Sequence, residues 1–219
     1  MLAKRYVFMK KKIHKKATNA IALGLFSSIL ALLVWGSKDR GFSFGNVMTS
    51  AAEAVQLRDG KTYFINLPML IEAETTVNRI YARNATYYFA IALPQNMGEP
   101  LQKLEIAQKE GFDSIDFFEN DTLAYVQSPS GERVAIASKT EIAPSGDRSE
   151  DRNKITITFN PSIPASGDLN RKLIVGLRPI SNPRTDGTYL FGVTAFPQGD
   201  RPNSQFLGYG RLSFYSLRF

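Results

Sequence analysis

The sequence predicts an all-β domain behind an apolar N-terminal leader helix. The domain is expected to be an antiparallel β-sandwich, immunoglobulin-like in general architecture, with at most one or two short helices. Three observations carry this expectation. Beyond residue 54, apolar residues gather in short runs rich in β-branched and aromatic side chains, and Pro, Gly, Asn or Asp ends the runs. Apolar spacing of helical period is weak there. The charge is also divided. Residues 1–54 carry nine Lys/Arg against two Asp/Glu, and residues 55–219 carry eighteen of each, so the net charge of +7 sits in the leader.

The leader comes first. Residues 1–16 hold seven positive charges and no negative one, and no charged residue occurs between Ala17 and Ser37. A basic flank before an apolar run is what export machinery reads, because Lys and Arg stay on the cytoplasmic side. The strongly apolar part runs from Ala20 to Gly36 (AIALGLFSSILALLVWG). An uncharged run of ~17–25 residues can span a bilayer as a helix, so two outcomes stay open. Cleavage after the small residues Ala52 and Ala54 would release the body. An uncleaved leader would hold it at the membrane through residues 20–36. Translation from Met9 rather than Met1 would give a leader of more usual length.

The body, residues 55–219, is long enough for one domain with its own core. Runs 85–93 (ATYYFAIAL), 173–177 (LIVGL) and 188–196 (TYLFGVTAF) each stop at or just before a proline. Runs 104–107 (LEIA), 134–137 (VAIA) and 155–159 (ITITF) alternate with period two, as half-buried strands do. The last strand falls within 212–217 (LSFYSL). Two segments carry some helical signal, 68–80 and 98–108. In the first, Thr75, Thr76 and Val77 favour strand. The polar stretch 140–153 (TEIAPSGDRSEDRN) reads as an exposed loop. Gly208 and Gly210, in GYGR, read as a bulge or a close strand crossing rather than a phosphate cradle.

The only His and Trp, His14 and Trp35, lie in the leader, and there is no Cys. The body therefore excludes disulfides, thiolate or imidazole metal sites, and Ser-His-Asp or Cys-His catalysis. Its zero net charge gives no basic face for nucleic acid. No cofactor is implied. One acidic cluster, Asp113, Asp116, Glu119 and Asp121, offers hard oxygen ligands for Ca²⁺ without the spacing of an EF-hand; the alternative is a polar turn. The Pro/Gly-rich segments after Leu93 and Phe196 would lie at one end of the sandwich if their strands run side by side. Tyr87, Tyr88, Asn96, Tyr189, Phe196 and Tyr209 would then form a binding surface; the competing expectation puts the aromatic rings in the core.

Several strings taken in order resemble a known family: VQLRDGKTYF from Val55, ATYYF from Ala85, LPQNMGEPLQK from Leu93, YLFGVTAFP from Tyr189 and QFLGYGRL from Gln205. Together they resemble exported cyanobacterial proteins catalogued only as a domain of unknown function, over residues 55–219. The resemblance implies a cyanobacterial source and an envelope location, and it carries no catalytic residue across. In that family the leader runs straight into the Val-Gln-Leu start, which supports cleavage near Ala54; the charged insert Lys38–Arg40 departs from the pattern. The expectation is an exported envelope protein, periplasmic or on the periplasmic face of the inner membrane. It would be a non-catalytic binding or structural module whose partner is an envelope protein or glycan. The alternatives are a carboxylate-dependent hydrolase of envelope glycans and a small outer-membrane β-barrel, the latter suggested by alternating Tyr215, Leu217 and Phe219.

Overall fold

A computed structural model describes residues 60–144 and 152–216. They belong to the unit Met48–Phe219. The leader, with its apolar run and the Ala52 and Ala54 cleavage site, lies outside them, as do Leu217 and Phe219. The described residues contain ten strands and no helix. Hence no described helix is long and apolar enough to cross a membrane.

The strands are β1 (Met69–Thr75), β2 (Tyr87–Ala92), β3 (Leu101–Glu110), β4 (Leu123–Gln127), β5 (Arg133–Ala135), β6 (Ser138–Pro144), β7 (Asn153–Ile163), β8 (Lys172–Leu177), β9 (Gly187–Pro197) and β10 (Gln205–Phe214). They form two five-stranded sheets. Sheet I has the order β1-β2-β8-β4-β5, and sheet II has the order β10-β9-β3-β7-β6. Every pairing within them is antiparallel. The described residues form an all-β sandwich of immunoglobulin-like general architecture. Two open sheets replace the closed barrel that the C-terminal alternation suggested.

Period-two patterning decides which face of each strand is buried. In β2, Tyr87, Phe89 and Ile91 point inward; in β8, Leu173, Val175 and Leu177 do. From sheet II come Leu104 and Ile106, Ile155 and Ile157, and Tyr189, Phe191 and Val193. The aromatic rings meet between the sheets. Tyr87 packs edge-on to Phe191, with centroids 6.2 Å apart, and Phe89 to Phe191 at 5.8 Å. Such contacts add to the free energy of burying large apolar rings.

Both segments with helical signal hold strand instead: β1 lies within 68–80, and β3 begins within 98–108. Pairing with β2, β7 and β9 overrides the weak local signal. The polar stretch from residue 140 corrects the loop expectation. Thr140 to Pro144 belong to edge strand β6, paired with β7; residues 145–151 lie outside the described set. Strand β4, LAYVQ, has too short an apolar pattern to stand out alone, and it is fixed by pairing with β8 and β5. The two glycines mark both expected features. The β9–β10 register shifts between Phe206 and Gly208. A Cβ on Gly210 would lie 2.7 Å from Ala73 Cβ and 3.0 Å from Phe89 Cε1, so β10 crosses close to β1 and β2.

Candidate functional site

The outer face of sheet I carries a groove of about 380 Å³. Register explains its shape. Glu72 lies opposite Ala90, Ala90 opposite Ile174, and Ile174 opposite Tyr125, so one outward row crosses four strands. Its centre is low because Ala90 and Ile174 stand where longer side chains could. Tyr88 and Gly176 lie on one flank of this row, and Lys172, Gln127 and Arg133 on the other. A Cβ on Gly176 would be 2.9 Å from Tyr88 Cε1, so the Tyr88 ring lies against the sheet because residue 176 has no side chain. Arg133 sits 5.1 Å from the Tyr125 ring centroid, a cation–π contact.

Charge is separated along the groove. Glu72 and Glu74 stand on β1 at one side; Lys172 on β8 and Arg133 on β5 stand toward the other. None of the four makes an ion pair with another described residue. The outer face of sheet II differs. Several of its charges pair, Lys103 to Glu105 at 3.3 Å, Lys154 to Glu105 at 3.9 Å and Lys139 to Glu141 at 2.8 Å, while Lys109 and Arg211 on the same face form no ion pair with a described residue.

A second depression, lined by Asp113, Asp116, Asn182 and Arg184 among others, is engaged in holding the fold. Asp113 Oδ2 accepts from the backbone N–H of Arg184 at 2.8 Å and of Thr185 at 2.7 Å, and from the Tyr189 hydroxyl at 3.3 Å. Burial works against its charged form, but these bonds outweigh it and hold the carboxyl below its ordinary value. Asp116 accepts from Asn153 Nδ2 at 2.7 Å, and Asp121 pairs with Arg178 at 3.1 Å. The four acids proposed for Ca²⁺ therefore do not converge. Asp113, Asp116 and Asp121 each serve a different partner, Glu119 is exposed, and no group of three or more acids among the described residues could hold a metal.

The loops after Leu93 and Phe196 do share one end, where Gln198 N–H donates to Pro100 O at 2.8 Å. The six residues expected there separate. Tyr87 and Tyr189 are fully buried, so they correct the surface expectation: inward positions of β2 and β9 place them in the core. Tyr88 lines the groove. Asn96 shapes the loop, accepting from Gly98 N–H at 2.9 Å. Phe196 and Tyr209 lie on the outer face of sheet II. Lys103 Nζ sits 3.9 Å from the Phe196 centroid, and Tyr209 meets Phe206 at 4.9 Å. Of the six, only Tyr88 belongs to the groove. Glu72, Glu74, Tyr125, Gln127, Arg133 and Lys172 are groove residues that sequence reasoning did not single out. Alternation marked some of them as outward, but which strands neighbour one another is a long-range fact.

Sheet order and the groove thus define a β-sandwich with a charge-separated outer face. A family model described as "Protein of unknown function (DUF2808)" matches residues 61–214, and the chain belongs to that family. No curated protein sequence matches. Among solved structures, similarity is found to the collagen-binding subdomain ACE19 of the Enterococcus faecalis surface protein ACE. It has 9% identity and a TM-score of 0.38, and covers 68% of this chain and 98% of that one. The backbone protein of group B streptococcus pilus 2b is similar at 12% identity and a TM-score of 0.33, covering 61% of this chain and 56% of that one. AvmM, which catalyses macrocyclization in alchivemycin A biosynthesis, is similar at 8% identity and a TM-score of 0.34, covering 72% and 94%.

Proposed function

We propose that this protein is an exported, non-catalytic binding module of the cell envelope. In this reading the leader directs residues 55–219 to the periplasm or to the periplasmic face of the inner membrane, and the groove on sheet I receives an envelope protein or glycan. The observation that carries the binding role is the set of four charged side chains gathered in one groove, none of them in an ion pair with another described residue. Exposed charges that do not neutralise each other remain available to a ligand. The leader's basic flank and apolar run support export.

The hydrolase alternative has less support. Glycoside hydrolysis uses two carboxylates facing each other across a bound sugar. Glu72 and Glu74 instead sit two residues apart on one edge strand, and both are exposed.

Fractionation of a native-type host, with intact-mass measurement of the product, tests the export reading. The expected product is accessible to protease in spheroplasts. It either starts near Val55 or retains the full 24.4 kDa at the membrane. A protease-protected cytosolic product would overturn it.

A further inference from the structure

We propose that the groove on sheet I binds an extended peptide segment carrying a cationic side chain near one end and a carboxylate near the other, laid across the strands. This rests on the reading of the protein as a binding module and names the ligand class.

Charge complementarity decides the class. The β1 side of the groove offers two carboxylates, Glu72 and Glu74, to an ammonium or guanidinium group. The β8 and β5 side offers Lys172 and Arg133 to a carboxylate. Between them the floor is Ala90 and Ile174, which suits short apolar side chains. Gln127 beside them can both donate and accept a hydrogen bond to a peptide group. A neutral oligosaccharide supplies neither charge. It also meets an aromatic surface already partly used, since Arg133 covers Tyr125 and Tyr88 lies against Gly176.

The dimensions agree. Neighbouring strands lie ~4.8 Å apart, so β1 to β8 is two spacings, roughly 10 Å, and β1 to β5 is four, roughly 19 Å. An extended peptide advances about 3.3–3.6 Å per residue, so four to six residues (about 13–22 Å) bridge the two charged sides. The backbone need not add to a sheet edge. Both edges of sheet I are poorly suited to that: β5 is three residues long, and β1 is bulged between Leu70 and Glu72 and carries charge.

The test uses the full chain in mild detergent and a fluorescein-labelled, end-capped pentapeptide Lys-Ala-Ala-Ala-Asp, read by anisotropy. Unlabelled competitors are the neutral pentapeptide Gln-Ala-Ala-Ala-Asn and chitopentaose. Saturable binding is expected, weakened by added salt. The paired substitutions Glu72→Gln/Glu74→Gln and Arg133→Gln/Lys172→Gln should each weaken it about threefold to tenfold, as loss of exposed charge pairs does. Lys139→Gln/Glu141→Gln on sheet II should leave it unchanged, and neither competitor should displace the probe at matched concentration. All substituted positions are exposed, and unchanged melting curves will show that the variants fold.

Binding that ignores both groove variants would overturn the proposal. Displacement by the neutral peptide would overturn the charge assignment. If chitopentaose binds and the groove variants weaken it while the charged peptide does not bind, the peptide class fails and the binding-module reading stands. If no probe binds, the peptide class fails and the groove loses its support as a binding site, which leaves export to be judged by fractionation alone.

Discussion

The Tyr87 hydroxyl donates a 2.8 Å hydrogen bond to Asn182 Oδ1, wholly inside the protein. The same amide donates from Nδ2 to Val77 O at 2.8 Å and Arg79 O at 2.7 Å. One buried side chain thus ties the central aromatic ring of sheet I to the chain leaving β1. A buried polar group stripped of its partner costs about 1–3 kcal/mol, more than the bond itself contributes. Asn182→Ala should therefore destabilise by about 3 kcal/mol, since it orphans a hydroxyl and two carbonyls. Tyr87→Phe should cost about 1–2 kcal/mol. Urea unfolding of both singles and the double variant checks this. The double should cost less than the sum, and simple additivity would mean the two side chains are not coupled.

A Cβ at Gly210 meets backbone-anchored neighbours rather than open space, with Ala73 Cβ at 2.7 Å. Gly210→Ala should push β10 from β1 and cost about 1–3 kcal/mol, as overpacking does. Gly131 is a useful contrast. Its φ is +88°, yet nothing lies within 4 Å of an added Cβ. Gly131→Ala should cost only the left-handed backbone penalty, roughly 1–2 kcal/mol. It should leave the spectrum of β10 unperturbed, whereas Gly210→Ala should shift it. Equal spectral effects from the two would contradict the close crossing.

Much of the fold was legible because burial leaves a local trace. Tyr87, Phe89 and Ile91 alternate with less buried neighbours on β2, and Ile155 and Ile157 do the same on β7. Strand β6 was hidden because an edge strand needs only one partner and tolerates polar residues. Strand β4 was hidden because its identity comes from β8. The groove was harder still. Glu72 and Arg133 stand at opposite ends of a sheet whose order, β1-β2-β8-β4-β5, follows no local signal. Aromatic residues misled for the same reason. Tyr87 and Tyr88 are adjacent in sequence, and only the side on which sheet II packs decides which ring is core and which lines the groove.

Asp113 should make stability depend on acid. Its carboxyl is held below its ordinary value of 3.8 in the fold, by backbone and hydroxyl donors that outweigh burial. The unfolded chain therefore takes up this proton first as pH falls. The stabilisation is fully present above the unfolded value, near 4, and is lost as pH drops through the lower folded value. Asp113→Asn keeps the shape and removes the charge, and should cost about 2 kcal/mol at neutral pH through weaker hydrogen bonds. Unfolding curves of both proteins at pH 7 and at successive values below 4 check the prediction. The gap between them should narrow in acid, and a gap constant with pH would mean that Asp113 acts only through its shape.

The two buried tyrosines should make stability depend on alkali. Burial, with the Asp113 charge adding to it, pushes the Tyr189 hydroxyl from 10.0 up to about 12. Burial pushes Tyr87 up as well, with Tyr189 contributing. A tyrosine is neutral below its pKa, so the fold holds these two in the neutral form. In the unfolded chain they ionise near pH 10. Between about pH 10 and 12 the unfolded state loses their protons first and gains stability relative to the fold. The contribution present below pH 10 should therefore disappear as pH rises toward 12. Tyrosinate absorbance followed against pH checks this. A delayed fraction should coincide with loss of the β-sheet circular dichroism signal. Tyr189→Phe removes one titrating group and the bond to Asp113, so it should lower stability at neutral pH and flatten the alkaline decline. An alkaline decline of unchanged steepness in that variant would assign the transition to other groups.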